Sequence, residues 1–256
     1  MKNKFSFRIV LSFLSMALVV SACSSLAPAP TSTATPEPTA TQTLTPTITP
    51  TATATLKPTR TPDLAATQRY DEMYARVQEF REQGYISSAA GAYVELADFV
   101  LRMPKINYYS WDNTGKIATN FVFSAHFRWS TATKTPNVSG CGVIFALQED
   151  GEHYFAVFLD KALLRFLQAD GSGVHRLGKT SGSDVFKYDN PADANFTLVV
   201  NENHAYVFVD DFKVIVYTLP QNVLMKGELG LGLRSGTNKD YGTRCEMTDI
   251  RVWIAD

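Results

Sequence analysis

The sequence predicts an all-β antiparallel sandwich, entered through one short amphipathic helix and preceded by a long extended segment. Three observations carry this expectation. Between Ala118 and Trp129 the residues alternate, with Phe121, Phe123, Ala125, Phe127 and Trp129 on one side and Val122, Ser124, His126 and Arg128 on the other. That is the period of a half-buried strand. Short apolar runs then recur to Ile254, separated by turn residues and without a helical period, as in a sandwich of hairpins. Finally, composition changes abruptly near Pro62, from Thr and Pro to residues able to build a core.

At the N-terminus, Lys2, Lys4 and Arg8 precede an apolar run from Ile9 to Val20. A charged head and a short apolar stretch form the pattern of an export signal, and the run is shorter than the roughly 20 residues a membrane span needs. Leu18-Val19-Val20-Ser21-Ala22-Cys23 follows. It resembles the lipobox of bacterial lipoproteins, which implies removal of residues 1–22, acylation of Cys23 and an extracytoplasmic, membrane-anchored location at the cell surface. An ordinary secretory signal with an incidental cysteine is the alternative. Acyl chains hold at about 0.8 kcal/mol per buried methylene, so no second membrane segment is required.

The whole chain has a net charge of −1; without its first three cations it keeps 21 basic against 25 acidic residues, near −4. Such a balance offers no footprint for nucleic acid and no basic patch for anionic lipid. The membrane is therefore expected as a partner through the lipid anchor alone.

From Ser24 to Pro62 the chain is dominated by Thr, Pro, Ala and Ser, with eight of the twelve prolines between Pro28 and Pro62. The segment 23–62 reads as a disordered linker with polyproline II character, reaching at most roughly 120 Å. It is expected to act as a spacer, with O-glycosylation of the threonines as an alternative.

Residues 63–84 read as a helix. Thr61-Pro62-Asp63 resembles a helix start, Tyr70, Met73, Tyr74, Val77 and Phe80 share a face, and Gly84 is a stop. The apolar face is expected to dock on its own domain, with a coiled-coil stem as the alternative. Residues 85–256 form the sandwich. Its expected strands are 118–129, 142–148, 154–160, 163–168, 196–201, 205–209, 213–217, 229–234 and 247–254. Glu149-Asp150-Gly151, Asp170-Gly171-Ser172-Gly173, Asn201-Glu202-Asn203 and Asp210-Asp211 supply turns.

From about Gly91 onward the order of these runs resembles the concanavalin A-like jelly roll, the superfamily of lectins, laminin-G modules, glucanases and 3-keto-disaccharide hydrolase-like domains. The resemblance is carried by Ser139-Gly140-Cys141-Gly142-Val143-Ile144-Phe145 and by Glu152-His153-Tyr154-Phe155-Ala156-Val157. It is carried also by the series Phe196–Asn201, Ala205–Asp210 and Phe212–Tyr217. The closing pair is Gly227-Glu228-Leu229-Gly230-Leu231-Gly232 with Met247-Thr248-Asp249-Ile250-Arg251-Val252. It implies an antiparallel jelly roll with ligand on the outer face of the curved sheet.

With Cys23 assigned to the anchor, Cys141 and Cys245 remain as a pair. Export favours a disulfide; two buried thiols or a metal site are the alternatives, although two cysteines cannot complete a tetrahedral zinc shell.

Catalytic residues are not expected. Glucanases of this superfamily carry Glu-x-Asp-x-Glu on one strand, which places two carboxylates about 5–5.5 Å apart. Here Glu149, Asp150 and Glu152 fall in a turn instead, and no nucleophile elbow or phosphate loop occurs. His153 and His204 lie beside turns. Asp210-Asp211 permits calcium, as in some laminin-G modules, but a tight hairpin explains the pair equally; no cofactor is expected. The candidate ligand residues are His126 and Arg128, facing away from the core, together with Arg165 and an exposed Tyr154. Loops near Tyr109 and Trp111 are the next place to look. The expected function is non-catalytic binding of a glycan or cell-wall ligand. A protein-interaction domain and a 3-keto-sugar hydrolase, the latter from fold analogy alone, are the alternatives.

Overall fold

The computed structural model of the protein describes residues 63–134, 138–160, 163–181 and 189–256. The expected signal segment, Cys23 and the linker lie outside the described residues.

Helix α1 (Leu64–Glu82) begins at Asp63, whose carboxylate accepts from Ala66 N–H at 3.0 Å. This carboxylate satisfies one of the first-turn N–H groups a helix leaves open. At the other end Tyr85 N–H reaches the Phe80 carbonyl at 2.8 Å and Gly84 N–H the Arg81 carbonyl at 3.0 Å. This is a Schellman closure, and it requires the positive φ of 75° that Gly84 supplies.

Among the described residues thirteen strands follow: β1 (Gly91–Glu95), β2 (Phe99–Met103), β3 (Ile106–Ala118), β4 (Asn120–Thr131), β5 (Gly140–Leu147), β6 (His153–Asp160), β7 (Leu163–Asp170), β8 (Val174–Ser181), β9 (Ala192–Asn201), β10 (His204–Val209), β11 (Phe212–Thr218), β12 (Gly227–Gly236) and β13 (Thr243–Ala255). A seven-stranded sheet runs β1-β13-β4-β9-β10-β11, with β2 also on β13; a six-stranded sheet runs β3-β12-β5-β6-β7-β8. Every pairing is antiparallel. The last two strands insert beside early ones in both sheets, giving the expected jelly-roll sandwich.

The core lies between the sheets. Phe121, Phe123, Ala125, Phe127 and Trp129 of β4 meet Phe145 of β5, Phe155 of β6 and Phe166 of β7 there. Phe127 and Phe196 stack with centroids 4.6 Å apart. Cys141 on β5 and Cys245 on β13 are bonded, with Cα atoms 5.4 Å apart, so the disulfide ties one sheet to the other. Cys245 lies inside β13 rather than ahead of the last strand.

The helix docks on the domain as expected. Met73, Val77 and Phe80 bury against Val122, Val199, Phe208 and Trp253 on the outward side of the seven-stranded sheet. Arg76 pairs with Asp211 at 2.6 Å, and Arg251 with Glu72 at 2.8 Å. Val122 is thus buried although its parity points outward, because the helix supplies a second apolar environment.

Strands β1, β2, β3 and β8 were not among the expected runs. They are short or lie at sheet edges, where exposure on several sides removes the alternation. In β8, Val174 and Leu177 are exposed. In β3, Asn113 and Gly115 interrupt the apolar pattern. Tyr109 and Trp111, expected near loops, therefore belong to an edge strand.

Candidate functional site

The four candidate ligand residues do not converge. His126 and Arg128 stand on β4, on the outward face of the seven-stranded sheet, whereas Tyr154 on β6 and Arg165 on β7 stand on the outward face of the six-stranded sheet. The two groups are on opposite sides of the sandwich. His126 Nδ1 lies 3.2 Å from Asn195 Oδ1, and its Nε2 lies 3.8 Å from Asp193. Arg128 is exposed. Tyr154 was expected to be exposed, and this is corrected: it is 5% exposed, covered by aromatic rings from β3. Arg165 is buried as well, with Nε 2.8 Å from Asp160 Oδ2. A buried guanidinium needs such a partner to offset desolvation.

On the six-stranded sheet, strand register builds an unusual outward face. Trp111, Gly232, Gly142, Phe158 and Arg165 stand in one row across β3, β12, β5, β6 and β7. The next row holds Tyr109, Arg234, Gly140 and Asp160. In the first row β12 and β5 thus both present glycine where side chains would rise, and in the second β5 does so again. A Cβ at Gly142 would sit 2.3 Å from the Phe158 ring, one at Gly232 would sit 2.6 Å from Ile144, and one at Gly230 would sit 2.9 Å from Trp111. Bare backbone there lets neighbouring side chains lie low across the sheet.

Tyr109 and Trp111 occupy that space. Tyr109 lies 5.5 Å from the Phe158 ring, Trp111 lies 5.0 Å from Tyr154, and the two edge-strand rings lie 6.0 Å apart, nearly parallel. The Tyr109 and Tyr154 hydroxyls share a hydrogen bond of 2.5 Å. Burial, and then this bond, push the Tyr109 phenol well above its ordinary range, so it stays a neutral hydroxyl. Beneath, Ile144, Ala156, Phe158, Leu167 and Ala169 form a small apolar cluster, against which Tyr109 and Trp111 remain half-buried.

Beside Trp111 runs an open groove of about 790 Å³, lined also by Asn113, Ile117, Gln148, Glu149 and Glu228. A smaller hollow of about 240 Å³ lies beside Tyr154, and the two share Gly151. Glu228 is engaged on both oxygens, by Asn113 Nδ2 at 2.9 Å and Gly115 N–H at 2.7 Å. Gln148 Nε2 donates to the Ala146 and Lys226 carbonyls. These groups hold the groove's shape. Asp150 accepts from the Glu152 and His153 N–H groups and from the His153 ring, contacts that lower its pKa, so the acidic turn is a folded hairpin tip.

At the opposite end, Arg234 is half-buried and its Nη1 has no hydrogen-bond partner among the described residues. Burial first, and then the charges of Arg165 and Arg176, push its pKa down to about 10; Asp160 opposes them. The residues expected to permit calcium are otherwise engaged. Asp210 and Asp211 both have positive φ and form the two-residue turn between β10 and β11, a geometry that short polar residues tolerate. Their carboxylates hold Asn195 N–H and Arg76.

Neither a protein-family model nor a curated protein matches the sequence. Among solved structures the chain is similar to the carbohydrate-binding module CBM66 from Bacillus subtilis, with 11% identity and a TM-score of 0.46 over 63% of this chain and 95% of that one. It is similar also to sheep galectin-11, with 12% identity and a TM-score of 0.37 over 58% and 98% of the two chains. A Bacillus licheniformis beta-glucanase gives 10% identity and a TM-score of 0.41 over 56% and 70%. At these values the likenesses carry no statement about ligand or activity.

Proposed function

We propose that the chain is an exported, lipid-anchored protein that binds a glycan, without catalysis, on the outward face of its six-stranded sheet. The observation that carries this reading is the aromatic surface of Tyr109 and Trp111, laid over the glycines of β5 and β12 and opening onto a groove of about 790 Å³. Sugar rings present C–H faces that pack on aromatic planes, and their hydroxyls need fixed polar groups at the rim. Asn113, Gln148, Glu149 and Lys226 line that rim. Anchoring rests on the sequence alone, through Cys23 after the apolar run.

The test is a glycan array probed with the mature protein and its Trp111→Ala variant. Binding by the parent, lost by at least about tenfold in the variant, is the expected result; removing a central aromatic anchor costs about 2 kcal/mol or more. A parent that binds no glycan, or a variant that binds as the parent does, contradicts the proposal. For the anchor, Cys23→Ser should move the protein from the membrane fraction to the soluble one; retention of the variant in membranes contradicts it.

A further inference from the structure

We propose that the arginine-bearing end of this same face is an anion subsite, and that the glycan it takes is acidic, carrying a carboxylate or sulfate group. The inference rests on the glycan-binding reading above and adds the chemical class of ligand.

Arg234 shares its register row with Tyr109 on one side and, across Gly140, with Asp160 on the other. Its guanidinium therefore lies at the end of the aromatic surface. On the protein side it is only partly compensated: among the described residues Nη1 is shut away without an acceptor, and Arg165 and Arg176 add positive field against that of Asp160. The Asp160 carboxylate takes Arg165 Nε at 2.8 Å on Oδ2 and Leu163 N–H at 2.7 Å on Oδ1. Arg176, opposite Leu167, is exposed and stands on β8, the strand next to the β7 of Arg165.

Two guanidiniums, the half-buried Arg234 and the buried Arg165, stand against the carboxylate of Asp160, and this excess of desolvated positive charge favours an anion arriving at the open side of Arg234. Guanidinium geometry fits the planar oxygens of a carboxylate or two oxygens of a sulfate. A neutral sugar hydroxyl can accept a hydrogen bond from Arg234, but it cannot offset the charge. Tyr109 would carry the ring of the same sugar, which sets the anionic substituent next to the stacking plane.

The experiment begins with an array of uronate-bearing, sulfated and matched neutral glycans, probed with the mature protein. The best acidic ligand and its methyl-esterified or desulfated partner are then titrated calorimetrically against the parent, Arg234→Gln and Arg176→Ala. The parent is expected to prefer the acidic form by more than about tenfold, the scale of one charge-assisted hydrogen bond. Arg234→Gln should erase the preference, and Arg176→Ala, an exposed charge, should weaken it by up to about fivefold. Retention of uronates alone assigns a carboxylate, and retention of sulfated glycans alone assigns a sulfate. Equal binding of acidic and neutral partners by the parent overturns the anion subsite while leaving the glycan-binding reading intact if Trp111→Ala still abolishes binding. Binding of no glycan overturns both. Should Arg234→Gln fail to fold, the parent's own preference and the Arg176→Ala titration still decide.

Discussion

The two outward faces of the sandwich solve one problem in different ways. Each carries apolar side chains that must be kept from water. On the seven-stranded sheet, Val122, Val199, Phe208 and Trp253 are covered by a separate element, helix α1, whose Met73, Val77 and Phe80 seal them. On the six-stranded sheet, Ile144, Phe158 and Leu167 are covered by the fold's own edge strand, which lays Tyr109 and Trp111 over a floor of glycines. A helix closes its face and ties down the rim with Arg76–Asp211 and Arg251–Glu72. Two rings cover less, and they leave a groove and half-buried aromatic planes. Cover by a helix closes a face; cover by a few aromatics leaves the groove that is proposed above to take the ligand.

The largest effects that test this contrast concern stability. Phe80, 1% exposed beneath Arg76 and against Phe208, should cost about 3–5 kcal/mol when replaced by alanine. Urea denaturation would show it, while glycan binding by the folded fraction should stay within about twofold. Loss of binding with the helix face disturbed would mean that the two faces are not independent.

Arg165→Ala comes next. It strips a buried carboxylate of its guanidinium partner and should cost about 3 kcal/mol. The Asp160→Ala/Arg165→Ala double variant should recover part of that loss in the same denaturation series, because the buried carboxylate that Arg165 balances is removed with it. Equal losses in the single and double variants would show that the pair is not coupled.

A smaller effect is expected at alkaline pH. Burial pushes the Tyr217 hydroxyl up to about 12, so in the range from pH 10 to about 12 the unfolded chain ionises this tyrosine and the native state does not. The group favours the native state below pH 10, and its contribution is lost as pH rises through that window. Melting temperature against pH for the parent and Tyr217→Phe should diverge there, the variant falling less.

The smallest effects are expected at the residues the sequence favoured. His126→Ala and Arg128→Ala lie on the helix-bearing side of the sandwich, and each should change stability by no more than about 0.5 kcal/mol and leave glycan affinity unchanged. A large loss of affinity in either would move the site to the seven-stranded sheet.

What the sequence disclosed follows from which signals are local. Alternation in β4 placed Phe121 to Trp129 in the core, and the leftover cysteines found their bond. Parity, however, states only whether a side chain faces the core. It does not say which sheet the strand joins, so His126 and Tyr154 looked like neighbours although the sandwich lies between them. The cover over Tyr154 comes from Tyr109, 45 residues earlier on an edge strand without alternation. One signal was present. Gly140-Cys141-Gly142 and Gly230-Leu231-Gly232 each leave one face of a strand without side chains, and two such strands side by side make a floor onto which neighbouring aromatics fold. Arg234, two residues beyond Gly232, escaped notice because a single arginine in a strand says nothing of its partners.

The most direct measurement uses the tryptophans. The protein has three; Trp129 and Trp253 are 1% and 2% exposed, and Trp111 is half-buried at the aromatic surface. Fluorescence titration with a glycan retained on the array should give a saturable change in emission and shield Trp111 from iodide. Trp111→Phe should abolish both signals, and Arg128→Ala should preserve them. Saturable binding that leaves the emission and iodide access of Trp111 unchanged, and that weakens in Arg128→Ala, would contradict the assignment of the ligand to the six-stranded sheet.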